Sequence, residues 1–109
     1  MAVGSRIRPA RSILKRLFLF LNLMATISVF DGIVIQMFRR DHGAPHFHAL
    51  YAEHEALVEL RDCRVIRGSL PERETTLVLE WASEHRDELM ENWNLCSELK
   101  TPKAIEPLK

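Results

Sequence analysis

Four of the chain's five histidines lie in the stretch RRDHGAPHFHALYAEHEA, residues 39–56. His42, His46 and His48 fall within seven positions of one another, around Gly43-Ala44-Pro45. In an extended strand residues two apart share a face, so His46 and His48 project together. A turn through Gly43 to Pro45 can fold His42 back toward that pair. Three imidazoles on one side form a ligand set for zinc or nickel, with Asp41 as a fourth ligand or as a partner that orients a ring. The same cluster suits metal-free acid–base chemistry. His46 and His48 would exchange a proton with a ribose hydroxyl and a leaving oxygen, while Arg39, Arg40 or His42 holds the phosphate. A third reading is structural: the rings cap backbone groups beside Pro45 and half-bury themselves. The residues alone leave all three open.

The remaining chemistry is sparse. Cys63 and Cys96 lack metal-ligand spacing and read as free thiols of a reducing compartment, which places the chain in the cytoplasm. No Gly-rich phosphate loop, Cys-x-x-Cys pair or nucleophile elbow occurs. The chain carries 15 basic and 15 acidic side chains, but unevenly. Residues 1–23 hold five of the basic ones and no acid, so the body is net acidic. Such a body attracts a phosphate backbone poorly, and nucleic acid is not an expected partner.

The elements that would hold the histidines are legible from periodicity. Two β-rich runs, TISVF and IVIQMF, flank Asp31-Gly32, a pair suited to a hairpin turn whose two positions need positive φ. HFHALYA reads as a third strand, EALVEL as a fourth, and CRVIRG as a short fifth after a turn at Arg61-Asp62. Short links imply antiparallel neighbours. The period then changes to that of a helix. Ser69 and Glu72 have capping-box spacing, and Pro71 suits a first turn. Leu77, Val78, Trp81, Ala82, His85, Leu89, Trp93 and Cys96 form one apolar stripe. Glu74, Glu80, Glu84, Asp87, Glu88 and Glu91 supply the solvated side. This stripe predicts one long helix, ending before Pro102, with Trp81 and Trp93 laid across the sheet. His85 reads as a core histidine bonded to a strand or to the histidine loop, and His54 as a solvated turn residue. Ile105 and Leu108 are expected to pin an extended tail.

Residues 1–23 are basic and then apolar, too short in their apolar run to span a bilayer, which takes about 20 residues. They read as a dispensable extension ahead of a single domain at 24–109. A signal segment and a docking amphipathic helix are the other readings.

The motifs resemble those of the small bacterial domain-of-unknown-function family 4160. Its F-x-G-I is matched by Phe30, Gly32 and Ile33, and its H-x-x-P-H-F-H by His42, Pro45, His46, Phe47 and His48. G-x-L-P is matched by Gly68, Leu70 and Pro71, and E-N-W by Glu91, Asn92 and Trp93. The resemblance runs from Met24 to Leu108, and family members begin with a Met at the position of Met24. It implies a gene pair with a small cognate protein of family 2442 type, of toxin–antitoxin-like kind. It implies no activity for the histidines.

Together these readings give an α+β fold. It is an antiparallel meander of four to five strands with one long C-terminal helix on one face. Gly32, Pro45, Phe47, Trp81, His85 and Trp93 are its expected structural residues. The expected function is protein–protein binding in a toxin–antitoxin-like pair. The alternatives are a ribonuclease-like toxin using His46 and His48, or a metal-binding module using His42, His46 and His48. Alternation places Phe47 and Tyr51 beneath the helix and leaves His46 and His48 partly exposed on the other face.

Overall fold

The computed structural model describes residues 23–109. The expected extension therefore lies outside the described residues, apart from Leu23, whose carbonyl accepts a hydrogen bond from the Arg39 N–H at 2.7 Å. Among the described residues the chain forms five strands: β1 (Met24–Phe30), β2 (Ile33–Phe38), β3 (His46–Tyr51), β4 (His54–Glu59) and β5 (Arg64–Ser69). Two helices follow, α1 (Glu72–Glu84) and α2 (Arg86–Ser97). The strands pair antiparallel in sequence order, which makes β3 the central strand. The fold is the expected α+β meander.

Asp31 and Gly32 close the first hairpin with φ of 49° and 77°, the left-handed pair that an Asp-Gly turn supplies. One face of the sheet carries Ile33, Ile35, Met37, Phe47, Ala49, Ala56 and Val58, all fully buried. Trp81 of α1 packs edge-on against Phe47 at 5.8 Å and lies 5.4 Å from Phe30. The tail crosses the same layer. Ile105 is buried and its N–H bonds to the Ile27 carbonyl at 2.8 Å. Trp81 Nε1–H donates to the Glu106 carbonyl, and the Asn92 amide makes two 2.8 Å bonds with the Lys103 backbone. Leu108 packs against the core as well.

The helical region departs from the expectation of one rod. It breaks at His85, which adopts φ −125° and ψ 29°. The His85 N–H bonds to the Ala82 carbonyl, and the ring takes Glu88 Oε1 at 2.6 Å while leaning on Trp81. His85 is thus a hinge residue between two helices and has no bond to the histidine loop. The break lets α2 take its own course, and Trp93 leans on the His46 ring, its centroid 5.3 Å away. The capping box does not form either. Ser69 ends β5, Pro71 is the N-cap without a side-chain bond, and Thr75 Oγ1 donates to the Leu70 and Pro71 carbonyls. Glu74 is buried beside Arg73, although it falls on the side of the helix expected to face solvent. His54 opens β4 opposite Tyr51, and the turn is Ala52-Glu53.

Two strands carry a one-residue bulge. In β1 the register passes from Thr26↔Gln36 to Ser28↔Ile35, leaving Ile27 as the extra residue. In β5 it passes from Arg67↔Leu57 to Val65↔Val58, leaving Ile66 extra. Next to that bulge, Gly68 sits at φ 70°, and a Cβ there would fall 2.1 Å from the Glu55 carbonyl oxygen. Gly68→Ala should therefore cost about 2–3 kcal/mol through strain and overpacking. Urea denaturation measures it, and a change below about 0.5 kcal/mol, the size of an ordinary surface substitution, would refute the close approach.

Candidate metal and acid–base site

The histidines owe their places to β3. Phe47 and Ala49 point into the core, so His46 and His48 point to the opposite face. They are not the partly exposed rings expected there. His46 is 6% exposed and His48 9%. The reason is local: Phe38 of β2 stacks on the His48 ring at 4.4 Å, Trp93 leans on His46, and the loop between β2 and β3 folds over both. That loop is held at both ends. The Arg40 N–H bonds to the Cys96 carbonyl at 3.3 Å, and the Leu60 N–H to the Pro45 carbonyl at 3.0 Å.

The loop returns Asp41, rather than His42, to the two imidazoles. Asp41 Oδ2 lies 3.0 Å from His46 Nε2 and 3.2 Å from His48 Nε2. The other ring nitrogens are also engaged. His46 Nδ1–H donates to the Ala44 carbonyl at 2.8 Å, and His48 Nδ1 lies 3.1 Å from Glu55 Oε2. A carbonyl only accepts and a carboxylate only accepts, so both Nδ1 atoms carry hydrogen. In neutral rings both Nε2 lone pairs would then face one carboxylate oxygen. Lone pairs and an anion do not attract, so a positive charge belongs between them, either protons on the rings or a metal ion.

Asp41 is suited to either. Burial pushes its carboxyl upward, but the His42 N–H at 2.9 Å, the His48 hydrogen bond and the charges of His46 and His48 outweigh that effect. The carboxyl is held below its ordinary 3.8. For a metal the spacing fits. Ligand atoms about 2.1 Å from one ion stand about 3.0–3.4 Å apart in octahedral or tetrahedral arrangements. The two nitrogen–oxygen separations lie in that range, and the three donor atoms fall within 4.8 Å of one another.

The cluster forms one wall of a pocket of about 420 Å³, whose other walls include Phe38, His42, Leu57, Ile66 and Arg67. His42 lines this space without joining the three donors. Arg39 and Arg40, the expected phosphate holders, are not brought in. Arg39 points to the tail, where Nη2 meets Thr101 Oγ1 at 3.4 Å, and its charge offsets part of the burial that raises the Cys96 thiol. Arg40 is exposed at φ 63°. The cation at the pocket is Arg67, which the sequence reading missed. It faces His48 along one row of paired residues, Gln36–His48–Leu57–Arg67, and only that register reveals it.

The depressed carboxyl has a consequence for the protein freed of divalent ions. A folded pKa below the unfolded one adds stability that is complete above about pH 4 and fades as pH falls through the folded value. Asp41→Asn should remove that contribution. Urea midpoints between about pH 5 and pH 2.5 should then fall less steeply in the variant than in the parent, and equal slopes would count against the assignment.

A family model described as a domain of unknown function (DUF4160) matches residues 32–94, from the first hairpin into the last turns of α2, with the whole histidine loop inside it. Comparison with curated proteins and with solved structures gives no match. The family match spans more than half of the chain, and the chain belongs to the DUF4160 family.

Proposed function

We propose that this protein binds a first-row divalent metal, zinc or nickel, through His46, His48 and Asp41. The observation that carries this is the direction of the imidazoles. Both Nδ1 atoms are tied to acceptors, leaving both Nε2 atoms on one carboxylate oxygen. An oriented outer nitrogen and a convergent inner one are the arrangement of a ligating histidine. Two nitrogens and one oxygen suit zinc, nickel or another borderline ion, with at least one position left for solvent. Metal-free acid–base chemistry has less support, because neither Arg39 nor Arg40 lines the pocket and the inner nitrogens of the pair are held on Asp41. Dialysed protein should take up one equivalent of Zn²⁺ or Ni²⁺ by calorimetry. At about 100 times its dissociation constant the metal should add about 2.7 kcal/mol to stability. His46→Ala, His48→Ala or Asp41→Ala should each weaken binding by about 100-fold or more, while His42→Ala should not. Equal loss in the His42 variant would restore the three-histidine set.

A second reading is favoured by the open sheet face. Val29 is 54% exposed and continues into half-buried Val34 and Leu50 along one row of pairs. Apolar surface of this kind marks interaction sites. It supports binding of a small cognate protein, the family 2442-like half of a toxin–antitoxin-like pair, in the cytoplasm. Cys63 and Cys96 are free thiols, as a reducing compartment requires. Among the described residues no helix is long and apolar enough to cross a membrane. Co-expressed with the neighbouring gene product, the chain should elute with it in size-exclusion chromatography. Val29→Glu should separate the two, and two peaks at about micromolar concentration for the parent would overturn the pairing.

A further inference from the structure

The bulge in β5 does more than end a strand. Without it, Ile66 and Arg67 would point to opposite faces; with Ile66 as an extra residue, both line the pocket beside His48. Bulges re-aim side chains in this way next to functional sites. Arg67 stands two strands from His48 in the same row, so their backbones are about 10 Å apart, and a guanidinium spans most of that gap. Among the described residues no carboxylate pairs with it. Of the acids nearby, Glu55 is engaged with His48 at 3.1 Å, and Glu59 lies opposite His46 on the paired strand with Arg64 no closer than 3.9 Å. A divalent ion held by Asp41 would have part of its charge balanced by that carboxylate and more by Glu55 behind His48, which leaves Arg67 as the cation across the pocket with no carboxylate of its own. The space between them is floored by Leu57 and flanked by Phe38 and Ile66, which offer apolar surface and no further charge.

We propose that this pocket binds a small organic carboxylate. Its oxygens would lie between the metal and the Arg67 guanidinium, and its short apolar body against Leu57, Phe38 and Ile66. The proposal rests on the metal reading and specifies what that site recognises. A guanidinium matches the planar two-oxygen edge of a carboxylate, and a borderline divalent ion accepts a carboxylate oxygen in an open position. The apolar walls separate this class from inorganic phosphate, which has three or four oxygens to satisfy and no apolar part. The pocket's volume of about 420 Å³ suits a molecule of a few carbon atoms together with its solvent.

The test uses the full chain loaded with Co²⁺, whose visible absorption reports both metal binding and a change of ligand. Butyrate, acetate and phosphate are then titrated in turn at low ionic strength. Butyrate should shift the spectrum saturably and bind more tightly than acetate, and phosphate should shift it least. Arg67→Gln should bind cobalt unchanged and weaken butyrate by about tenfold. Ile66→Ser should weaken butyrate and leave acetate nearly unaltered. A cobalt spectrum that butyrate leaves untouched, or equal butyrate binding in Arg67→Gln, overturns this proposal and leaves the metal reading standing. Tighter binding of phosphate than of butyrate overturns the carboxylate class. Absence of any cobalt spectrum overturns the metal reading and the proposal with it.

Discussion

The alternation of β3 is the constraint on which both halves of the molecule depend. This strand lies at the centre of the sheet and is buried on both sides. Phe47 and Ala49 face the helices, His46 and His48 face the loop. A slip of one residue would drive two imidazoles into the Trp81 layer and put Phe47 on the polar side. Burying a Phe is worth about 1.5–3 kcal/mol, and two unpartnered imidazoles in the core would cost a similar amount or more. Against a total stability of about 5–15 kcal/mol, no other register competes. The position of the donor atoms is therefore set from behind, by the packing of an aromatic ring that never touches them.

The second requirement is that Asp41 come back over the strand it precedes. The backbone bonds of Arg39 to Leu23, Arg40 to Cys96 and Leu60 to Pro45 fix the loop to β1, to the end of α2 and to the β4–β5 turn. Each tie comes from a different part of the chain, so the carboxylate is placed by the whole fold rather than by its own loop. The His42 N–H then orients it through Oδ1, leaving Oδ2 for the rings. A donor held in advance loses little freedom when an ion arrives, and that preorganisation strengthens binding.

The readable parts of this architecture were those governed by local chemistry. Asp31-Gly32 announces a two-residue hairpin, and the period-two pattern of HFHALY separates core from open face without knowledge of any partner. The apolar stripe marks the helical region but not its break. The stripe continues through His85 because helices on both sides of the break pack against the same core, so periodicity alone shows one rod. Glu74 departs from the pattern because a charged side chain opposite the apolar stripe signals solvent, while here it is buried and paired with Arg73. That Asp41 rather than His42 meets the two rings depends on loop ties to residues 15 or more positions away. Arg67 was hidden for a related reason. Strict alternation assigns Ile66 to the opposite face from Arg67, and a bulge set by cross-strand pairing removes that distinction.

These two layers are energetically separable, and that bears on what the polar cluster is for. The core of Ile33, Ile35, Met37, Phe47, Val58, Trp81 and Leu89 is complete without the pocket face. Every ring nitrogen of His46 and His48 has a partner within the chain, in the Ala44 carbonyl, Asp41 and Glu55. In this it differs from small zinc domains, whose folding free energy is the metal-binding free energy. A buried polar cluster contributes little net stability compared with apolar side chains of the same volume. On one face of a small sheet, with apolar neighbours such as Phe38 and Leu57 already present, such side chains would pack readily. The arrangement is thus a poor device for holding the domain together, which favours the proposed reading of it as a ligand set. On the proposed metal reading, an ion would enter between donors already in place and leave the sheet unchanged, which would make the pocket a site that can load and unload on a stable scaffold.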